Sequence, residues 1–495
     1  MRRSVTGLSV ALLLGASLLV RAPAAGQDAP EAVELRVMSF NIWYGATPTD
    51  GLDQVIEAIR LAGADVVGMQ EPYARLRRIA EALGFHASPR MHVISRYPIL
   101  EPAGSDGDWA FLLLGPGQVA AIANTHLPCC PYTPYRIVNK GMDHATALAQ
   151  EGNTRVRRLA KHLEALRTLL ESGIPTFFTG DFNSPSWRDW TRAAVEDRDL
   201  PFPVRWPVSL AMEDAGFRDS YRDAHPDPVS EPGFTWTPGY PAPFVHDRDV
   251  FDRIDFVWAA GAAETLDSRV VGEARANADI VIRPYPSDHR GVVSTFSVLP
   301  APAPTFVAAQ GERARLGHPL DVTFHSPAGP GQHLALVPTG SEAPVADLPA
   351  PGGLDATIAF DTSELAQGSY DAILRDGSGA ELARDTVVLV ADDQSPVLTL
   401  ADDTLEGAEP LEVSWSFAPG NRFDWLGVLR AGRTAKTGEI RSWRYTDARI
   451  EGTMTIGSGA RGTRPWPPRP GRYAVHLCLD DSYRCRVAVG FRVIG

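Results

Sequence analysis

The sequence has little cysteine, no excess of positive charge and, past its N-terminus, no long apolar run. Four cysteines in 495 residues is few, and neither the adjacent Cys129 and Cys130 nor the pair Cys478 and Cys485 has the spacing of a zinc site. A net charge of −13 argues against a protein that grips nucleic acid through a broad basic surface. It does not exclude a phosphate substrate, because a bound divalent cation reverses the local sign. No segment after the N-terminal one is long and apolar enough to cross a membrane. No cysteine lies near the expected cleavage region either, which argues against a lipid-anchored form.

What is present describes an exported, multidomain protein. Hydrophobic content of 44% and charged content of 22% are those of a soluble globular chain. The length exceeds what one core supports, so two to four domains are expected. Met1-Arg2-Arg3 is basic, residues 8–20 are apolar, and Ala22-Pro23-Ala24 is a small-x-small cleavage pattern, with Ala24-Ala25-Gly26 as a second choice. Residues 1–26 therefore read as a signal peptide, and the mature protein as secreted or periplasmic; the alternative is an uncleaved N-terminal anchor.

The chain is organised around Thr179-Gly180-Asp181-Phe182-Asn183, which follows a short apolar run rich in β-formers. An acid and an amide at the tip of a buried strand line a site, or they are the ordinary polar exit of a strand into a turn. The rest of the chain weighs for a site. Residues 33–40 alternate as a strand and end at Asn41. Leu52, Val55, Ile56 and Ile59 have helical spacing, with Thr49 or Asp50 as the N-cap. Residues 64–69 form a second strand ending at Gln70-Glu71; a helix over 76–83 stops at Gly84. Residues 119–124 form a strand ending at Thr125-His126, residues 155–171 a long helix, and residues 253–258 a strand carrying Asp255. Ser287-Asp288-His289-Arg290 precedes the last strand, 291–296. Asn41, Glu71, His126, Asp181 and Asn183 all fall at C-terminal strand ends, whereas Asp288 and His289 fall just before a strand. They meet only if that last strand runs antiparallel to the others, as mixed sheets allow.

These residue types suit hydrolysis at phosphorus. Glu71 offers the hard anionic oxygen that Mg²⁺ or Mn²⁺ prefers. Asn41 and Asn183 offer neutral amides for a metal or a phosphate oxygen. His126 and His289 can move protons near neutral pH, and Asp255 could orient one of them. A metal, a base and oxyanion donors are what such a reaction needs.

Phe40-Asn41, Gln70-Glu71, Asn124-Thr125-His126-Leu127, Gly180-Asp181-Phe182-Asn183, Arg253-Ile254-Asp255-Phe256 and Ser287-Asp288-His289 resemble, in order, the motifs of the endonuclease/exonuclease/phosphatase superfamily, which is deoxyribonuclease I-like. The resemblance implies an α/β fold, a four-layer sandwich of two sheets with helices outside, over residues 33–299. It implies a Mg²⁺-dependent phosphoesterase whose substrate is a phospholipid head group, a nucleic acid or a phosphorylated small molecule. By position it makes Glu71 the main metal ligand with Asn41 assisting, His289 the general base and Asp255 its orienting partner. Asp181 positions the nucleophile or protonates the leaving group, Asn183 and His126 contact the phosphate, and Asp288 sits beside the metal or the base. Two departures stand out. Trp43 occupies a position where some members carry an acid, and Asp252 occupies the place where others carry the orienting Asp. On a strand, residues 252 and 255 face opposite sides, so only one reaches His289, and Asp255 is preferred. Two insertions, 128–152 and 234–249, carry aromatic and basic groups that either grip a substrate or form stiff structural loops.

Beyond a Pro-rich stretch at 300–304, read as a stiff linker, short alternating runs replace helical patterns. Residues 319–324 match 410–415, and 368–372 match 471–475. Two immunoglobulin-like β-sandwich modules, 305–393 and 394–495, are therefore expected, free of catalytic groups but open to contact with a surface or ligand. Cys478 and Cys485 are symmetric about Asp481-Ser482, so a two-residue turn would set them opposite each other and allow a disulfide, with no bond expected within Cys129-Cys130. The expected whole is a monomeric, exported, metal-dependent phosphodiesterase. The alternative from another class is a secreted binding protein that kept the fold and lost the chemistry; retention of the motif residues speaks against it.

Overall fold

In the computed structural model of the chain, residues 33–41 form a strand that is wholly buried over its last five positions. The structure describes residues 31–495, apart from 310–312, 327–330, 352–354, 407–408, 437–438, 458–465, 467, 481 and 495. The expected signal peptide lies outside the described residues.

Six strands carry the site: β1 (Val33–Asn41), β2 (Val66–Gln70), β3 (Gln118–His126), β4 (Thr176–Asp181), β5 (Asp255–Ala260) and β6 (Gly291–Val298). They belong to two seven-stranded sheets, with β6, β1 and β2 adjacent in one and β3, β4 and β5 adjacent in the other. Alternate side chains sort the core into layers. Val37, Val66, Ile122, Phe177, Val257 and Phe296 fill the space between the sheets. Met38, Val67 and Met69 face outward and meet Val55, Ile59 and Ile79 from the helices Leu52–Ala62 and Leu76–Leu83. On the opposite outer face, Ala121, Phe178 and Phe256 meet Leu159 and Leu166 of the helix Arg157–Glu171 and Met212 of the helix Pro207–Asp214. Helix, sheet, sheet, helix is the four-layer order expected. The facing sheet leaves no room for a side chain at Gly68, where an added Cβ would lie 1.8 Å from Thr179 Oγ1.

Local details differ from expectation. The helix Leu52–Ala62 is capped by Gly51, because the Thr49 hydroxyl is committed to the carbonyls of Ala46 and Pro286 and Asp50 takes a left-handed φ. The long helix begins only after a wider π turn over Gly152–Val156, in which Arg155 is fully buried against Glu151 at 2.7 Å. Arg155 also donates to the carbonyls of Cys129 and Pro131, tying down the start of the 128–152 insertion. That insertion folds into two helices, Thr133–Lys140 and His144–Glu151.

Residues 300–304 are not a free tether. Ala301–Pro302 pairs with Val119 and Gln118 at the start of β3, Ala303 N donates to the Gly117 carbonyl, and Phe306 and Ala308 enter the outer core of that sheet. Two β-sandwiches follow, each a three-stranded sheet on a five-stranded one with the same strand order, which is the physical content of the sequence repeat. Their cores are separate: Val322, Leu336 and Leu374 in one, Val413, Val428 and Val475 in the other. Cys478 and Cys485 are disulfide-bonded, and Cys129 and Cys130 are free and exposed. The hairpin tip is longer than two residues: Leu479 N donates to the Arg484 carbonyl, and Ser482 N to the Leu479 carbonyl. Among the described residues no helix is long and apolar enough to cross a membrane.

Candidate active site

Strand direction gathers the eight expected site residues at one end of the sandwich. β1 and β2 are parallel and finish at Asn41 and just before Glu71; β3 and β4 are parallel, with His126 aligned to Asp181. β5 runs antiparallel to β4 and starts with Asp255 opposite Asp181. β6 runs antiparallel to β1, so the loop before it, with Asp288 and His289, returns to the same end. The strand ends belong to two sheets rather than one edge, and the site spans the seam between them. Ser39 Oγ accepts from Gly180 N at 3.0 Å and Gln70 Nε2 donates to Asn124 Oδ1 at 2.8 Å across that seam.

His289 is held on every side. Its Nδ1 lies 2.9 Å from Asp255 Oδ2, and its Nε2 lies 3.8 Å from Asp181 Oδ2. A carboxylate only accepts, so Nδ1 carries a proton, and Nε2 is the nitrogen turned toward Asp181. The ring of Trp236 sits 4.9 Å from the imidazole, and Ser287 Oγ accepts from His289 N. Burial lowers the proton affinity of His289, but Asp255 and Asp181 outweigh it and push its pKa up to about 10. Burial also raises Asp255, against the pull of His289. Asp252 turns elsewhere. Its carboxylate accepts from Tyr132 Oη at 2.9 Å, Trp190 Nε1 at 2.8 Å and Arg198 Nη2 at 3.0 Å, which leaves Asp255 as the partner of His289.

Asp181 is the hub. Its Oδ2 takes Asn41 Nδ2 at 3.2 Å and lies 3.3 Å from His126 Nε2; its Oδ1 takes Asn183 N at 2.9 Å. Burial works against its charge, but His289 and His126 hold it below the usual carboxylate range. Asn183 Nδ2 donates to the Leu127 carbonyl at 3.1 Å, so that N–H group serves the turn.

The third group is rich in oxygen. Glu71 has a left-handed φ of 58° and accepts Tyr44 N at 2.8 Å through Oε2; Asn41 Oδ1 accepts Trp43 N at 3.1 Å. Asp288 is buried, and burial together with repulsion from Glu71 pushes it up to about 7, against the pull of His289. Two acids, one of them raised by burial and by the charge of the other, beside an amide oxygen, are a donor set that fits a hard divalent cation. Asp181, Asp255 and His289 also offer ligand atoms within 4.8 Å of one another, but Asp255 and His289 already spend Oδ2 and Nδ1 on each other.

The endonuclease/exonuclease/phosphatase family model matches residues 38–289, about half of the chain, and spans all of these groups. The chain belongs to this family. An endonuclease/exonuclease/phosphatase is a phosphoesterase or nuclease-like hydrolase, and such enzymes generally depend on a divalent metal. An uncharacterized protein of Caenorhabditis elegans is 27% identical over 294 residues, 54% of this chain and 92% of that one. A solved endonuclease/exonuclease/phosphatase from Beutenbergia cavernae is 17% identical, with a TM-score of 0.33 over 72% of this chain and 100% of that one. The human OSCAR ligand-binding domain is 16% identical, with a TM-score of 0.22 over 38% of this chain and 95% of that one.

Sequence reasoning missed the supports of this endonuclease/exonuclease/phosphatase site. Thr235 Oγ1 accepts from the backbone N of Ile254 and of Asp255, and the Thr235 carbonyl accepts from Arg290 N, so one threonine joins both halves of the dyad. Thr237 Oγ1 donates to the Asp288 carbonyl at 2.8 Å. The stretch read as one that either grips substrate or stiffens a loop thus backs His289. Its one visible signal is aromatic and threonine density at 234–237, which either role would produce.

Proposed function

We propose that the protein is an exported, Mg²⁺-dependent phosphodiesterase that hydrolyses a phospholipid head group or a nucleic acid by attack of water at phosphorus. The observation that carries this reading is His289 held at 2.9 Å by Asp255 with its other nitrogen turned to Asp181, beside the oxygens of Asn41, Glu71 and Asp288. Those three residues would hold the ion, which supplies positive charge to polarise the phosphoryl group and to lower the proton affinity of His289. His289 takes the proton of the attacking water at Nε2, and Asp255 stabilises the imidazolium that forms. Asp181, oriented by Asn41 and Asn183 N, positions the water or returns a proton to the leaving oxygen. His126 faces the same space and donates to a phosphate oxygen. Export is supported by the N-terminal pattern and by the Cys478–Cys485 bond, since disulfides persist in oxidising compartments. The test is hydrolysis of a generic phosphodiester. Turnover with Mg²⁺ that is abolished by EDTA and restored by added Mg²⁺ supports the reading; no turnover in any metal would leave the fold as a binding scaffold.

A further inference from the structure

Two residues of the second β-sandwich reach into the catalytic layers and stop one step short of the site. Asp480 stands at the hairpin tip, flanked by the Cys478–Cys485 bond, and Asp424 Oδ1 accepts its N–H at 2.9 Å. Its Oδ1 lies 2.7 Å from His92 Nε2, a contact in which the side chains are 4% and 12% exposed. His92 has a left-handed φ of 55°, a conformation that a non-glycine residue keeps only when its surroundings hold it there. Its carbonyl accepts Met69 N at 2.8 Å, at the end of the strand that delivers Glu71, and Asn124 Nδ2 holds the Met69 carbonyl at 2.9 Å.

Arg422 makes the second path. It is buried, donates to the Gly107 carbonyl and to Asp108 Oδ1 at 2.9 Å, and lies 3.1 Å from His162 Nδ1. Asp108 Oδ1 also lies 2.9 Å from His162 Nδ1, and His162 Nε2 lies 3.2 Å from Thr125 Oγ1. Thr125 is the residue before His126, on the strand that aligns His126 with Asp181.

We propose that the second β-sandwich is a working part of the catalytic centre: Asp480, through His92, positions the metal-binding half at Glu71, and Arg422, through Asp108 and His162, positions the phosphate-binding half at His126. This rests on the function proposed above. A mere docking surface would need neither contact to be buried and polar. Burying the Arg422 guanidinium and the Asp480–His92 pair costs solvation that apolar contacts would spare, and each of these groups is aimed at a segment leading to one half of the site. Asp480 and Arg422 are positioning residues, since neither touches the reacting atoms.

The two paths make different demands, and the full-length chain tests them. Asp480→Ala should raise the Mg²⁺ concentration for half-maximal activity, and the Mn²⁺ Kd read by calorimetry, about tenfold, with kcat at saturating metal unchanged. Asp480→Asn, which keeps an acceptor for His92 Nε2–H, should restore both. Arg422→Gln should lower kcat about tenfold, the order expected when a group near the chemistry is misplaced by a fraction of an ångström, with the Mn²⁺ Kd unchanged. Thermal melting checks that each variant is folded, and Arg422→Lys replaces Arg422→Gln if the latter is not. Folded variants that both match the wild type, or that both lose active fraction with no split between metal affinity and kcat, would overturn the proposal. If the wild type hydrolyses no phosphodiester, the function above fails instead. The Mn²⁺ Kd of Asp480→Ala and the His126 ring resonances of Arg422→Gln then decide the positioning, and no change in either would overturn it.

Discussion

His289→Ala is expected to lower turnover by about 10²–10⁴ while leaving metal binding and folding intact. The imidazole is the base-competent group whose tautomer the structure holds: Asp255 takes Nδ1–H at 2.9 Å and Trp236 covers the ring. The loss of a small ring next to Trp236 leaves the backbone anchors in place, because Ser287 Oγ holds His289 N and Tyr285 Oη donates to the His289 carbonyl. The pH profile adds a second readout. The acidic neighbours of His289 raise its pKa and the bound ion would lower it, so the protonated, inactive form is favoured at low pH and kcat/KM should climb as pH rises through the pKa of His289 in the metal-loaded enzyme. This acid limb should vanish in His289→Ala. Asp255→Asn should cost less than the loss of the ring, because the amide still sits under Nδ1 but no longer stabilises the imidazolium. Asp252→Asn should spare turnover and lower the melting temperature, since that carboxylate is buried against Tyr132, Trp190 and Arg198. Steady-state kinetics across pH, with melting curves, reads all three. Near-normal turnover in His289→Ala on a good substrate would remove it from the mechanism, and a larger loss in Asp252→Asn than in Asp255→Asn would contradict the dyad.

Glu71→Gln should keep the fold and weaken Mg²⁺ affinity and activity together. The substitution preserves shape and keeps an oxygen to accept Tyr44 N, so the left-handed turn at residue 71 is retained. It removes the anionic oxygen that a hard cation seeks. Changes to groups that merely orient metal ligands cost about 10–100-fold in affinity, so loss of a charged ligand should cost at least that much. It should also lower the pKa of Asp288, which Glu71 helps to raise. A Mn²⁺ calorimetric titration alongside a Mg²⁺ activity titration checks this. Coincident curves for variant and wild type would assign the metal elsewhere, with the Asp181, Asp255 and His289 group as the next candidate.

Much of this was legible in the sequence because strand ends are local events. The alternation of β1 and the apolar run of β4 mark where Asn41 and Asp181 emerge, and a base that precedes its strand requires that strand to be antiparallel, as β6 is. Which sheet a strand joins was not legible, because a period of two says which faces are buried but not by whom. Hence the strand ends alone do not say whether β1 and β4 share an edge; they lie in facing sheets. The helix cap at Gly51 was missed because the Thr49 hydroxyl is drawn to Pro286, far away in sequence. Thr235, Trp236, Asp480 and Arg422 act through contacts between distant segments; the aromatic and threonine density at 234–237 marks the first two without giving their role, and nothing in the chain next to Asp480 and Arg422 marks the other two.

The account turns on water attacking phosphorus, and isotope placement tests that most directly. Hydrolysis of a phosphodiester in H₂¹⁸O with Mg²⁺, followed by mass spectrometry of both products, should place the label in the phosphate-bearing product and none in the released alcohol. Label in the alcohol, which would mean cleavage at carbon, would contradict it.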